Sequence, residues 1–249
     1  MTEWFNRFFP GLYTRVLPKT FDEATTLSHA RLVKRLLRVR RGASILDVPC
    51  GMGRITLPLA EMGLVMTGVD LTGSYLARAR RDARKRGLDV RFIESDMRRI
   101  DFDREFTAAF NWFGSFGYFS DADNLAFCRA VFRTLNAGGR FLIEGLNKSW
   151  MLSHFRERME HKIGGVRITT RNRWNDRTQR THSLYTFSRG KTTETILLKM
   201  RIFNGADIRM LLRAAGFRTV TLFGWPPLQP FTRHSRRIIA VATKPSGRW

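Results

Sequence analysis

Apolar residues along the first 146 positions recur in two alternating rhythms. Leu27, Leu32, Val33, Leu36 and Leu37 fall on one side of a 3.6-residue period, which predicts a helix over Phe21–Arg38 that Gly42 ends. Ser44–Val48 is a short apolar run and predicts a buried strand. The alternation then repeats. Ile55–Met62 reads as a helix, with Pro58 tolerable only in its first turns. Val65–Val69 reads as a strand, Ser74–Arg86 as a basic helix, and Val90–Glu94 and Thr107–Asn111 as strands. Ala122–Leu135 reads as a helix, and Gly138-Gly139 turns the chain into a strand at Arg140–Glu144. Strands separated by helices imply a parallel sheet with both faces covered.

After Asn147 the rhythm changes. Val166–Trp174, Thr181–Phe187 and Thr193–Phe203 read as three strands with no helix between them, joined at Asn175-Asp176 and Arg189-Gly190. Consecutive strands with short turns make an antiparallel meander. The first rhythm then resumes with a helix over Ala206–Ala215, capped by Gly216, and strands at Arg218–Phe223 and Arg237–Ala242. The expected architecture is an α/β sheet of seven mostly parallel strands with helices on both faces, carrying an inserted antiparallel β lobe. The boundaries fall at 1–147 for the N-terminal helices and ligand-binding core, 148–203 for the lobe, and 204–249 for the end of the core.

Composition narrows the class. The chain has 249 residues, 43% apolar and 12% aromatic, which suits one large globular domain or a domain with an inserted lobe. Two cysteines, Cys50 and Cys128, make neither a disulfide framework nor a zinc site, so no metal is expected. The greasiest stretch, Phe106–Phe119, is broken by Asn111 and Ser115 and is too short to span a bilayer. The N-terminus carries Glu3 and lacks the basic start of a secretory signal, so a cytoplasmic location is expected. Trp4, Phe5, Phe8, Phe9 and Tyr13 form the apolar side of a short helix. It is expected to cover the domain's own core or site, a membrane surface being the other use.

Charge raises a question about partners. The formal net charge is +23, and residues 126–249 hold 24 of the 44 basic side chains but 6 of the 21 acidic ones. Such a half suits nucleic acid, acidic metabolites or anionic lipid. A bias toward arginine, which supplies 36 of the 44, produces the same balance without a partner.

Four segments carry candidate chemistry, each just past a predicted strand. Asp47-Val-Pro-Cys-Gly51-Met-Gly53 joins a strand to a helix; glycines let the backbone approach a ligand, and the helix start offers free N–H groups. Asp70 follows Asp47 by 23 residues, the position from which a carboxylate accepts from ribose hydroxyls. Asp96 can accept from an exocyclic amine, and Met97 offers a soft contact to a flat ring. Asn111-Trp-Phe-Gly-Ser-Phe-Gly-Tyr118-Phe is an aromatic loop with glycines at the same sheet edge.

Together these segments resemble the class I S-adenosylmethionine-dependent methyltransferases, well over residues 40–146 and loosely over the final helix and strands. The resemblance implies a Rossmann-like fold, S-adenosyl-L-methionine as cofactor, and methyl transfer. Asp47, Gly51 and Gly53 match the family's glycine motif, with Pro49 in place of its first glycine. Asp70 matches the ribose-binding acid and Leu71 the apolar residue beside adenine. Asp96 and Met97 match the adenine-binding pair, and Asn111, Trp112 and Phe113 the segment lining the sulfonium. A nicotinamide dehydrogenase would place a third glycine where Thr56 stands. The Ser-Phe-Gly-Tyr segment and the β-rich lobe are similar to small-molecule members acting on amines, amino sugars and related metabolites.

The expected activity is therefore transfer of a methyl group to a small, anionic metabolite at nitrogen or oxygen. Methyl transfer mainly needs proximity, and only a hydroxyl acceptor needs a strong base. The candidate bases are His154, His161, His182, Tyr118 and Tyr185, with Tyr118 the best placed. On Val166–Trp174 the period of two puts Arg167, Arg171 and Arg173 on one face and Val166, Ile168 and Trp174 on the other. Those arginines, with Tyr13 and Tyr118, are the expected substrate contacts. An RNA or DNA methyltransferase is the alternative. It is favoured by the basic charge, and opposed by the lack of a nucleic-acid module and of an Asn/Asp-Pro-Pro-aromatic segment after the fourth strand. A non-catalytic scaffold on the same fold is the second alternative, supported by Pro49.

Overall fold

Two short helices, α1 (Phe5–Phe8) and α2 (Tyr13–Val16), open the computed structural model, which describes residues 3–247. Helix α3 (Glu23–Leu37) starts where Asp22 accepts from the Thr25 N–H. It ends at Arg38, which adopts the left-handed conformation (φ 54°), so the stop comes four residues before Gly42. Alternating units follow: β1 (Ser44–Asp47), α4 (Thr56–Glu61), β2 (Val65–Asp70), α5 (Gly73–Lys85), β3 (Val90–Glu94), β4 (Phe106–Asn111), α6 (Asp121–Thr134) and β5 (Leu135–Leu146).

The next segment starts with α7 (Lys148–Ser153), then β6 (Arg158–Ile163), β7 (Val166–Asn175), β8 (Arg180–Arg189) and β9 (Thr192–Arg201). Helix α8 (Gly205–Ala214) and strands β10 (Thr219–Trp225), β11 (Gln229–Pro230) and β12 (Arg237–Thr243) finish the chain.

The main sheet has the order β11-β10-β12-β5-β4-β1-β2-β3. Strands β3, β2, β1, β4 and β5 are parallel, while β12 joins β5, and β10 joins β12, in antiparallel register. Its eighth strand exceeds the expected seven because β11 is a two-residue edge ladder ending in Pro230. Such a strand has no hydrophobic period and sits where proline's missing N–H costs least. Along each central strand the side chains divide between two cores. Leu46, Ala109, Phe141 and Ile143 pack with Phe127, Val131 and Leu212 of α6 and α8. Ile45, Ala108, Phe110 and Leu142 pack with Val33, Leu36 and Leu59 of α3 and α4.

A second sheet, β6-β7-β8-β9, is wholly antiparallel. It has one strand more than its three apolar runs suggest. Strand β6 reads Arg-Met-Glu-His-Lys-Ile, mostly exposed, and is drawn into the sheet by the hairpin at Gly164-Gly165, both with positive φ. Its inner face buries Val166, Ile168, Phe187 and Ile196 against Phe8 and Val16 of the N-terminal helices. Those helices thus cover the chain's own interior, as their aromatic side suggested. Among the described residues no helix is long and apolar enough to cross a membrane.

Candidate functional site

Strands β1 to β5 end on one edge of the main sheet, and that edge borders a cavity of about 1510 Å³. Ligand cavities usually run to about 300–1,000 Å³, so this one has room for more than one small ligand. Three walls enclose it: the strand ends of the core, the N-terminal segment from Phe5 to Phe21, and the inner face of the antiparallel sheet through Asn172, Ser183, Tyr185, Leu198 and Met200.

The loop after β1 follows its path through backbone hydrogen bonds. Cys50 N–H donates to Val69 O at 2.9 Å and Gly53 N–H to Cys50 O at 3.0 Å. Pro49 has no N–H to place, and the bonds that hold the loop fall on Cys50 and Gly53 after it. Gly51 has φ 56°, and a Cβ there would enter open space on the cavity side. Asp47 also borders the cavity, yet it is 2% exposed and accepts from the Thr56 hydroxyl at 2.6 Å, which ties the loop to α4. Burial pushes the Asp47 carboxyl well above its ordinary value, the Thr56 bond opposing.

Asp70 ends β2. One carboxylate oxygen accepts from Gly51 N–H and the other from Thr72 N–H, both at 2.8 Å. Burial raises its pKa, and these N–H groups oppose the rise. Leu71, 40% exposed, stands beside it on the cavity wall. Asp96 caps a short turn after β3 and is held by Arg98, at 2.6 Å to one oxygen. Burial pushes the Asp96 carboxyl up, but the Arg98 hydrogen bonds keep it below the usual range. Arg98 also reaches Glu3 at 2.7 Å and so fastens the N-terminal segment to this edge. Tyr75 does the same from α5, donating to Phe9 O at 2.7 Å.

Met97, Trp112, Phe113, Tyr13 and Tyr118 all reach the cavity. Asn111 does not: it is fully buried behind the wall, where its amide donates to Val48 O at 2.9 Å and joins β4 to the loop. Arg167, Arg171 and Arg173 are also absent from it. They lie exposed on the outer face of the antiparallel sheet, because the apolar set of β7 turns inward. Of the histidines, His154 stacks on Trp150 at the cavity mouth, with ring centroids 4.2 Å apart, while His161 and His182 lie outside the lining. Burial keeps the phenols of Tyr13, Tyr118 and Tyr185 protonated well past their ordinary value. None of the three is therefore set up as a phenolate base.

Several site residues were not read from the sequence. Glu144, at the end of β5, is 1% exposed. Its Oε2 accepts from Phe113 N–H at 2.8 Å and Gly114 N–H at 3.2 Å, while Oε1 pairs with Arg237. Phe113 has φ 65°, a conformation that a side chain resists, and the carboxylate holds it there. The signal that points to Glu144 is an acid at a strand's carboxyl end, as for Asp47 and Asp70.

Arg54 follows the glycine loop and borders the cavity. Its guanidinium lies 4.4 Å from the Phe21 ring centroid and 3.1 Å from His29 Nδ1. Among the described residues it makes no ion pair, and burial lowers its pKa from 12.5 to about 10. Arg54 is thus half-buried on the cavity wall, with Asp47 and Glu144 near enough to act on its charge but neither in ion-pair contact, a place that a ligand carboxylate can take.

His29 is 5% exposed, wedged between Phe21, Trp112 and Trp225. Burial, with Arg54 and Arg237 nearby, lowers its pKa from 6.5 to about 4. The unfolded chain binds this proton at the higher pH, so the contribution of neutral His29 is complete above pH 6.5 and is lost as the pH falls toward 4. Urea titrations should show the stability gap between wild type and His29→Phe narrowing across that window. The buried acids Asp47 and Asp70 shift the other way but cancel in the difference. A gap that stays constant with pH would show that His29 does not titrate as described.

Among the described residues no cluster of His, Cys, Asp and Glu is arranged to hold a metal ion. The family described as a methyltransferase domain matches residues 45–139. A 23S rRNA uracil-C5-methyltransferase of Nitrosospira multiformis is 34% identical over 89 residues, 34% of this chain and 20% of that protein. The chain spans between 17% and 48% of the length of the first curated relatives it matches. Solved structures match it nearly end to end. An S-adenosylmethionine-dependent methyltransferase from Clostridium acetobutylicum has a TM-score of 0.78, covering 97% of this chain and 99% of its own at 18% identity. The sugar N-methyltransferase KedS8 from a Streptoalloteichus species has a TM-score of 0.64, covering 98% and 94% at 22% identity.

Proposed function

We infer, from a chain whose residues 45–139 are a methyltransferase domain and whose fold is that of the class I S-adenosylmethionine-dependent methyltransferases, that the protein methylates a small, anionic metabolite. The observation that carries this reading is the single cavity of about 1510 Å³ running from Gly51 and Asp70 to the inner face of the antiparallel sheet. That volume leaves room for a small acceptor beside a cofactor, which supports the small-molecule reading.

The residues present fit the cofactor. The open space over Gly51 leaves room for close backbone approach, Asp70 presents buried acceptors for ribose hydroxyls, and Leu71, Asp96 and Met97 provide the adenine wall. Arg54 supplies the missing counter-charge for a methionine carboxylate, and Trp112 and Phe113 close the far side. When bound, S-adenosylmethionine supplies an electrophilic methyl group on sulfur. The chain's part is to hold the acceptor in line and exclude water.

Tyr13, Tyr118 and Tyr185 surround the acceptor side as protonated phenols, able to hydrogen-bond an acceptor but poor at removing its proton. That favours a neutral nitrogen, which brings its own lone pair, over a hydroxyl. Arg156 and Arg236 border the mouth on this side, with Arg236 5.4 Å from the Trp150 ring centroid. An anionic group on the acceptor meets these cations while the rest enters the phenol-lined interior. The basic half thus serves the acceptor through Arg156 and Arg236, while Arg167, Arg171 and Arg173 take no part.

Methyl-labelled cofactor mixed with a low-molecular-weight metabolite extract and total RNA tests the reading. Label should pass to the small-molecule fraction and survive nuclease treatment, and Arg236→Glu should reduce it. Label confined to RNA would instead establish the nucleic-acid alternative. Arg54→Gln should weaken S-adenosylmethionine binding about 10- to 100-fold, the loss of one charge-assisted contact. It should leave 5′-methylthioadenosine, which lacks the carboxylate, unaffected. Equal weakening of both ligands would remove Arg54 from this role.

A further inference from the structure

The outer face of the antiparallel sheet is cationic in a way that no contact within the chain explains. Residues opposite one another in register share a face. One row runs Arg158, Arg171, Leu184 and Leu197 across β6, β7, β8 and β9. The next runs Arg173, His182 and Lys199, and on the other flank Lys162 stands opposite Arg167. Like charges opposite one another weaken a sheet. The carboxylate on this face, Glu160, meets Arg167 at 3.2 Å with both side chains about half exposed or more. Such a pair adds little stability. Beside the arginines, Leu184 and Leu197 lie next to each other, 36% and 43% exposed. The opposite face buries Val166, Ile168 and Phe187, so neither set can turn inward.

We propose that this face docks on an anionic phospholipid surface. From Arg167 to Arg173 the patch runs about 20 Å, and across four strands about 14 Å, at ordinary strand spacings. Six cations surround two leucines with no Phe, Tyr or Trp among them, whereas the centre of a stable protein interface is depleted of charge and enriched in aromatic residues. A bilayer needs no such centre. Its phosphates meet guanidinium groups, and its headgroup boundary takes shallow apolar side chains such as two leucines. Nucleic acid matches the charge but not the rest. His182 is the one aromatic ring at an outward position on the four strands, so the face lacks the row of aromatic platforms on which successive bases stack, and nucleic-acid phosphates offer the leucines nothing. The cavity lies behind the opposite face and stays accessible, so docking is independent of the methyl-transfer reading.

Sedimentation with phosphatidylcholine vesicles, with and without phosphatidylglycerol, at physiological ionic strength tests the proposal, with duplex RNA as competitor. Wild type should bind only the anionic vesicles. Arg171→Glu with Arg173→Glu should lower the partition at least about 25-fold, near fivefold per cation removed. Leu184→Ser with Leu197→Ser should lower it several-fold. The Ala pair at 171 and 173 replaces the charge reversal if that variant does not fold. Cofactor affinity should be unchanged in every variant. Reversing Arg81 and Arg84 on α5 should change vesicle binding by less than about twofold, since that helix belongs to the other sheet. Equal loss from the α5 variant, leucine variants that bind like wild type, or binding to duplex RNA with none to vesicles would each overturn the proposal.

Discussion

Glu144→Ala is expected to lower the unfolding free energy by about 3–5 kcal/mol, the usual consequence of removing one partner of a buried ion pair. Glu144 is 1% exposed and carries three interactions. Its loss leaves Arg237 without its counter-charge, and leaves the N–H groups of Phe113 and Gly114 without the oxygen that receives them. It also releases a phenylalanine held at φ 65°. For a chain of this size the change corresponds to roughly 10 °C in Tm. Glu144→Gln keeps one oxygen for the two N–H groups and should cost less. Glu144→Ala and Arg237→Ala combined should cost less than the sum of the single variants, because each removes the same pair. Urea titration of the four variants measures all of this. A loss below about 1 kcal/mol for Glu144→Ala would mean that the pair and the turn are not coupled.

The second large effect is on cofactor binding. Asp70→Ala should raise the Kd for S-adenosylmethionine about 30- to 150-fold, or roughly 2–3 kcal/mol. Two losses add. The ribose hydroxyls lose a charged acceptor, and Gly51 N–H loses the oxygen that sets the position of the glycine loop. Asp70→Asn, which keeps one acceptor oxygen, should fall between. Asp96→Ala should have a smaller effect, because Arg98 already engages both Asp96 oxygens. Calorimetry on folded variants decides this. Unchanged affinity in Asp70→Ala, or a larger loss in Asp96→Ala, would put the ribose acid elsewhere.

Local patterns were enough for the core. The apolar runs at β1, β2, β3 and β4 match the observed strands to within one residue. Strands β1, β2 and β4 are buried on both faces and read as apolar runs, while β3, at the sheet edge, is half exposed and keeps only Val90, Phe92 and Ile93 as its apolar signal. Gly51, Gly53 and Asp70 were legible for a related reason: a strand end, a turn of positive φ and a helix start occur within a few residues. Strand β6 and the two-residue β11 were not legible. Their residues are polar or exposed, and they become strands only by pairing with a neighbour.

The period of two along β7 correctly placed Arg167, Arg171 and Arg173 on one face and Val166 and Ile168 on the other. It did not say which face meets the cavity. Burying apolar area against Phe8 and Val16 settled that, carrying the cavity-lining residues inward and the arginines out. Asn111 shows the same limit, since it ends β4 instead of lying past it and its amide turns back to Val48. Glu144 and Arg237 lie 93 residues apart and meet because β12 docks antiparallel on β5. Arg54 gained its meaning when α3 brought His29 against it. By itself the sequence determined what is local: strands, helices, the glycine turn and the acids at strand ends. Which distant groups share a buried space, and which face of the lobe looks inward, was decided by tertiary packing, because only close packing removes water and leaves each buried charge dependent on the neighbour the fold provides.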